Sequence, residues 1–503
     1  MSTSMITAAR SLDDLQALAD RVVELVRAHP GPGGDHDAGT AGDGDSDSTE
    51  VAGDTGTGPG PGTGTGTGPG TGTGDTTEVE ANVRVSRTRH GLTRFANSFI
   101  HQHVGEDTVT VALTVAVGGR TGSASTTRIT DAELAELVDT TITSAALQPV
   151  DPHWPGATPP AETTIVANHD DATAAATPDE RAAGVEAFVA AGPELRAAGY
   201  LDTEASWVAF ASTAGQRAAG STTRATVDGI HQTQSSAGSA HQTSVRLGDL
   251  DAAAAGALAA DRARRSASFL DIEPGAYPVV LGPEAVATIL TFLAVYGFNA
   301  KSYLEGGSFA ELGEQQFDPA ITVWQDPTDP RAIGLPFDGE GTPRERFPLI
   351  EGGVTRTLAH DRRTAKRSGV VSNGSAVPGA EAFGAVPTNV VMSGGDTPAA
   401  ELVAGIDRGL LITQFHYVRV LEPKTVTATG LTRNGTFLIE DGEVAGAVGN
   451  LRFTQGFVAA LAAGQVRGLG DDQRYADGEF GAGMVIAPSL ALESWNFTGG
   501  AKG

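Results

Sequence analysis

The chain reads as an α+β protein, with an N-terminal α/β region followed by a mostly antiparallel curved-sheet or barrel-like C-terminal domain. Three observations carry this. Capping boxes open separate helices at Ser11, Thr130 and Thr177. Apolar and polar residues alternate with period two between those helices. The last part of the chain is a series of short apolar runs cut by Gly, Pro and Asp turns. Helices and strands do not alternate regularly, so a doubly wound parallel sheet is not expected.

In order along the chain, Ser11-Leu-Asp-Asp14 precedes Leu12, Leu15, Leu18, Val22, Val23 and Val26 at helical spacing, which predicts an amphipathic helix within 1–30. Residues 31–78 are mostly Gly, Thr, Pro, Asp and Ser, with nine acidic residues and no Lys or Arg. So little apolar surface cannot offset chain entropy, and a disordered acidic insertion is expected, acting as a tether or as an acidic interaction tail. Residues 79–270 are assigned to an N-terminal and central α+β domain. It holds strands at 79–85 and 108–117 with His90-Gly91 as a turn between them, then helices at 130–146 and 177–198. Strands at 200–218 and 222–234 and an Ala-rich helix at 249–266 complete it. Residues 271–503 form the C-terminal domain, opening with a buried strand at 277–281 and a helix at 283–302. Within 409–456, residues 436–440 alternate, Asp441-Gly442 forms a turn that wants φ > 0, and 443–448 alternate on the return.

Composition narrows the function. A net charge of −27 opposes a nucleic-acid partner, since phosphate binding needs clustered basic residues. No stretch approaches the roughly 20 apolar residues that span a bilayer, and 1–10 lacks a secretory pattern, so a cytoplasmic protein without membrane contact is expected. Zero cysteines exclude disulfides, thiolate ligands and cysteine nucleophiles, leaving any metal to His, Asp or Glu.

The segment 409–456, together with PFDGEGTPRERFPLIEGGV at 336–354, resembles the C-terminal domain of the TldD/TldE (PmbA) family, peptidases once called modulators of DNA gyrase. The phrase RFANSFIHQ at 94–102 is similar to the family's N-terminal domain. The resemblance implies a zinc peptidase in which TldD-type chains carry HExxxH on the helix opening the last domain, with a later cysteine as third ligand. Here those positions fall near Thr291, Phe292 and Tyr296, none of which can bind zinc or abstract a proton, and the cysteine is missing. The resemblance therefore implies a TldE-type subunit with no metal or cofactor of its own and no catalytic residue, paired with a zinc-bearing TldD-type subunit that cuts unfolded peptides, including precursor leaders. A stand-alone homodimeric peptide- or ligand-binding protein is the alternative. On that reading, substrate or partner contact is expected at Phe415, His416, Tyr417, Arg419, Thr432, Arg433 and Asn434, where a strand edge could hold an extended peptide.

Other candidates have plainer explanations. His101-Gln-His103 places two imidazoles on one strand face with no third ligand beside them, so a divergent metal site there stays open only as a third reading. His231 and His241, among Gln, Thr and Ser, are read as ordinary hairpin histidines. Asp338 and Glu340 in FDGEG, and Asp326 and Asp329 in DPTDP, are read as turn residues rather than acid-base or metal groups.

Overall fold

The structure, a computed structural model, describes residues 11–31, 78–165, 167–478 and 481–500; the acidic insertion expected at 31–78 lies almost wholly outside them. Helix α1 (Leu12–Ala28) begins with the capping box of Ser11 and Asp14 and buries Leu15, Ala19, Val22, Val23 and Val26. Those residues lie on an antiparallel sheet of order β3-β2-β1-β4-β5-β6, where β1 is Val79–Ala96, β2 Phe99–Val117, β3 Arg120–Thr126, β4 Arg196–Ser212, β5 Arg217–Gln232 and β6 Ala237–Ser244. Helix α2 (Asp131–Ala146) packs beside α1, and α3 (Asp171–Ala174), α4 (Pro178–Ala190) and α5 (Ala252–Arg265) follow.

Strand alternation decides what each side of this sheet does. Ala81, Val83, Leu201, Ala209 and Val227, all at odd positions, face the helices. The even positions of β4 and β5, among them Val208, Phe210 and Asp228, face the C-terminal region.

Several expectations need correcting. The helix expected at 177–198 stops at Ala190, where α4 ends, and the strand expected at 200–218 is cut by the turn between Ser212 and Arg217 that joins β4 to β5. His90-Gly91 is not a turn, because β1 runs through it and pairs with β4 on one side and β2 on the other. A Cβ at Gly91 would lie 2.4 Å from Arg181 Nη1, so a larger residue there would displace that guanidinium. The reversal comes at Asn97-Ser98, both with positive φ (51° and 64°). The helix expected at 283–302 is broken in two: α6 (Pro283–Tyr296) ends at Gly297, and Asn299 caps a second short helix at Ala300–Leu304, while Gly297 leaves room for the Phe309 ring where a Cβ would be only 1.8 Å away.

Among the described residues the C-terminal region forms two more sheets around α6. The larger curls into a half barrel through Phe415–Glu422, Thr427–Thr432, Leu451–Gly456, Leu490–Gly500, Gly275–Leu281, Arg408–Ile412, Thr436–Glu440, Glu443–Val448 and Phe269–Leu270. The hairpin expected at 436–448 is present, with Asp441 and Gly442 at φ 51° and 78°. The smaller sheet ends in Arg474–Gly478 against Gly481–Ala487. Helix α6 is buried from Pro283 to Ala294, as its apolar composition demands.

Candidate functional site

A polar cavity of about 300 Å³ lies where the even face of β5, the odd face of β6, the first turns of α6 and the strand Arg474–Gly478 meet. Antiparallel register puts Tyr200 opposite Asp228, and Asp228 opposite His241, so these side chains share one face. Glu284 and Thr288, one helical turn apart on α6, line the wall beside them. Gly478 allows its strand to close on that helix, since a Cβ there would be 2.7 Å from Thr291 Oγ1. Arg262, His416, Asn434 and Asp477 also line the cavity.

The charges are organised in pairs. Arg474 donates to both oxygens of Glu284, at 2.7 and 3.2 Å, while the Glu284 side chain is only 7% exposed. Burial alone would raise the Glu284 carboxyl, but the charge and hydrogen bonds of Arg474, with Arg262 behind it, hold it below its usual range. Arg224 reaches Asp202 at 3.2 Å and Glu204 at 3.5 Å, and Arg262 Nη1 donates to the Ser239 carbonyl at 2.7 Å. Asp228 is pushed up to about 6, by burial first and by the nearby Glu284 charge second. Burial brings His241 down to about 4, which keeps it neutral near pH 7. His241 Nε2 lies 2.9 Å from Thr243 Oγ1, while Nδ1 lies 4.0 Å from Asp228 Oδ2 and 4.0 Å from Asp477 Oδ2.

The residues anticipated from sequence divide between this cavity and its surroundings. Phe415 is buried and stacked on Trp495 at 5.0 Å, forming cavity wall and core together. His416 and Asn434 line the cavity. Tyr417, at φ 52°, is exposed under the Arg419 guanidinium, 4.3 Å from its ring centre. Thr432 is fully buried and accepts from Leu451 N and Thr436 Oγ1; with Arg433 and Asn434 it borders a second, wider cleft of about 1230 Å³.

On α6, Thr291 donates its hydroxyl to the Ala287 carbonyl, and Phe292 stacks on Tyr296 and meets Phe457 edge to face. His101 and His103 are exposed on β2, and His103 Nδ1 lies 2.9 Å from Thr93 Oγ1. His231 turns to the helix face, stacked on Phe188 at 5.1 Å with Nε2 3.0 Å from the Phe188 carbonyl. Asp338 accepts from Glu340 N, Thr342 N and Ala376 N inside a turn, while Arg362 N donates to Glu340. Asp326 and Asp329 likewise cap turns and pair with Arg346 and Arg331.

Sequence reasoning did not find Asp228, Glu284, Arg262, Arg474 or Asp477, and treated His241 like His231. One signal was available. Pairing Gln232 with Ala237 places residue 228 opposite 241, so a hairpin assumption would have joined that Asp and His. Glu284 and Asp477 arrive from distant segments, and no local pattern links them.

Residues 274–499 match the PmbA/TldA metallopeptidase C-terminal domain and residues 81–145 match PmbA/TldA metallopeptidase domain 1. A metalloprotease of Methanothermobacter thermautotrophicus is 26% identical over 220 residues, 42% of this chain and 47% of that protein. A metalloprotease TldD homolog of Buchnera aphidicola is 24% identical over 242 residues, 45% of this chain and 48% of that one. The matched stretch thus spans about half the length of these curated relatives. Among solved structures, TldE from Thermococcus kodakarensis superposes with a TM-score of 0.75 at 19% identity, covering 84% of this chain and 97% of that one. A Thermotoga maritima protein described as a modulator of a DNA gyrase gives a TM-score of 0.74 at 20% identity, over 84% and 96% of the two chains. At these identities the superpositions establish the fold.

Proposed function

Because the chain belongs to the PmbA/TldD metallopeptidase family, we propose that it is the non-catalytic, TldE-like member of a two-subunit peptidase whose TldD-type partner carries zinc and cuts unfolded peptides, precursor leaders included. One observation carries the reading. The resemblance puts the family's metal-binding helix positions near Thr291, Phe292 and Tyr296, and in the structure the Thr291 hydroxyl is tied to its own helix and Phe292 sits in an aromatic stack. Neither neutral imidazoles nor a general base is available there, so a water molecule could not be activated at these positions. The fold is one that the solved TldE of Thermococcus kodakarensis shares.

The chain's contribution is then binding rather than chemistry. His416 and Asn434 in the cavity and Arg433 on the adjoining cleft present polar groups beside strand ends, where an extended peptide can add backbone hydrogen bonds. The test is peptide cleavage by the purified chain, by a TldD-type chain from the same genome, and by the two together. The reading requires turnover only where the TldD-type chain is present. Turnover by this chain alone refutes it, and a stable homodimer that captures peptide and ignores the TldD-type chain favours a stand-alone binder.

A further inference from the structure

We propose that Asp228, His241 and Asp477 form a binding site for one divalent transition-metal cation, at residues other than the family's α6 positions. The three residues each present one donor atom, and these atoms all lie within 4.8 Å of one another. Asp228 and His241 are fixed by their cross-strand register, and Asp477 is brought in by the strand Arg474–Gly478. His241 Nδ1 has no hydrogen-bond partner although its side chain is only 6% exposed. A buried ring nitrogen left this way costs free energy unless something else engages it.

The spacing indicates what that is. A gap of 4.0 Å from Nδ1 to each carboxylate oxygen is too long for a hydrogen bond. Donor atoms that share one tetrahedral ion at about 2.0–2.2 Å lie roughly 3.3–3.6 Å apart, so the gap is a little wider than a filled site and closes by about half an ångström as an ion binds. Outer contacts already orient the imidazole: Nε2 lies 2.9 Å from Thr243 Oγ1, which lies 3.0 Å from Thr226 Oγ1. With Nε2 donating to Thr243, Nδ1 offers its lone pair to the gap, the arrangement found around metal-bound histidines.

Of the guanidinium groups around the cavity, Arg474 is held by Glu284, Arg224 by Asp202, and Arg262 by the Ser239 carbonyl. One imidazole and two carboxylates suit zinc or manganese rather than a soft ion, and leave coordination positions open toward the cavity. The site stands whether or not the chain works beside a metallopeptidase partner.

The test uses the full chain, stripped with chelator and titrated separately with Zn²⁺ and Mn²⁺ by calorimetry, with bound metal counted after dialysis. One equivalent is expected for the unsubstituted chain, with affinity lowered at least tenfold in Asp477→Asn and in His241→Gln. Asp477 is 26% exposed, so D477N decides the matter if H241Q does not fold. Its folded state is checked by an unchanged thermal midpoint without metal. Failure of the folded chain to bind either ion overturns the proposal. So does undiminished binding by folded D477N, or binding that disappears in a His101→Ala, His103→Ala double variant instead.

Discussion

Replacing Arg474 with methionine removes the guanidinium that faces Glu284 and strands a carboxylate whose side chain is 7% exposed. Breaking a fully enclosed ion pair from one side costs ~3–5 kcal/mol. Here the Arg474 side chain is 38% exposed, and Arg262 also acts on Glu284, so water and the second guanidinium recover part of the loss. The expected cost is about 2–3 kcal/mol. For an unfolding unit of ~150–250 residues at ~2–4 °C per kcal/mol, the melting midpoint falls by roughly 4–12 °C. Urea titration and calorimetry of the purified chain measure this directly. The double variant Glu284→Gln with Arg474→Met removes both charges of this pair, leaves Arg262 hydrogen-bonded to the Ser239 carbonyl, and should lose less than Arg474→Met alone. A single variant costing under about 1 kcal/mol, or a double variant costing more than the single, refutes the assignment of this pair as a mutually dependent buried unit.

Leu15→Ala opens a cavity under α1, whose Leu15 is fully buried, and should cost about 2–4 kcal/mol in urea unfolding; a change under ~0.5 kcal/mol shows that α1 does not dock on the sheet. Burial lowers the pKa of His231 in the folded state. The unfolded chain therefore takes up an extra proton as pH falls below about 6.5, and stability declines between roughly pH 7 and 5. His231→Gln keeps a donor for the Phe188 carbonyl and removes that proton site, so its urea midpoint should fall less steeply over the same window; identical slopes reject His231 as the source. His416→Ala and Arg433→Ala should each weaken capture of an unfolded fluorescent peptide by about tenfold, ~1.4 kcal/mol, with stability moved by under ~0.5 kcal/mol; unchanged capture removes these side chains from the peptide path.

Local chemistry made much of the fold legible. The capping boxes at Ser11, Thr130 and Thr177 each form as written, because they depend only on residues three apart. Asp441-Gly442 turns its hairpin for a similar reason. Errors arose where a distant side chain decided the outcome. His90-Gly91 has turn composition, but Arg181 occupies the space beside Gly91 and the strand continues. The helix expected at 283–302 breaks at Gly297, against which Phe309, twelve residues on, packs, and resumes after the Asn299 cap.

The candidate site was less legible than the fold. His416 and Asn434 could be named as contact residues through family resemblance, whereas Asp228, Glu284 and Asp477 meet only when three separate segments fold together. His231 and His241 look alike in sequence and differ only by which face of the sheet each occupies.

On the proposed reading α6 carries no catalytic group and this chain serves a cutting partner. Peptide turnover by the purified chain, with added Zn²⁺ or Mn²⁺ and without a TldD-type subunit, tests that claim most directly. The account predicts no turnover until the TldD-type subunit is added. Sustained cleavage by this chain alone, under either metal, contradicts it.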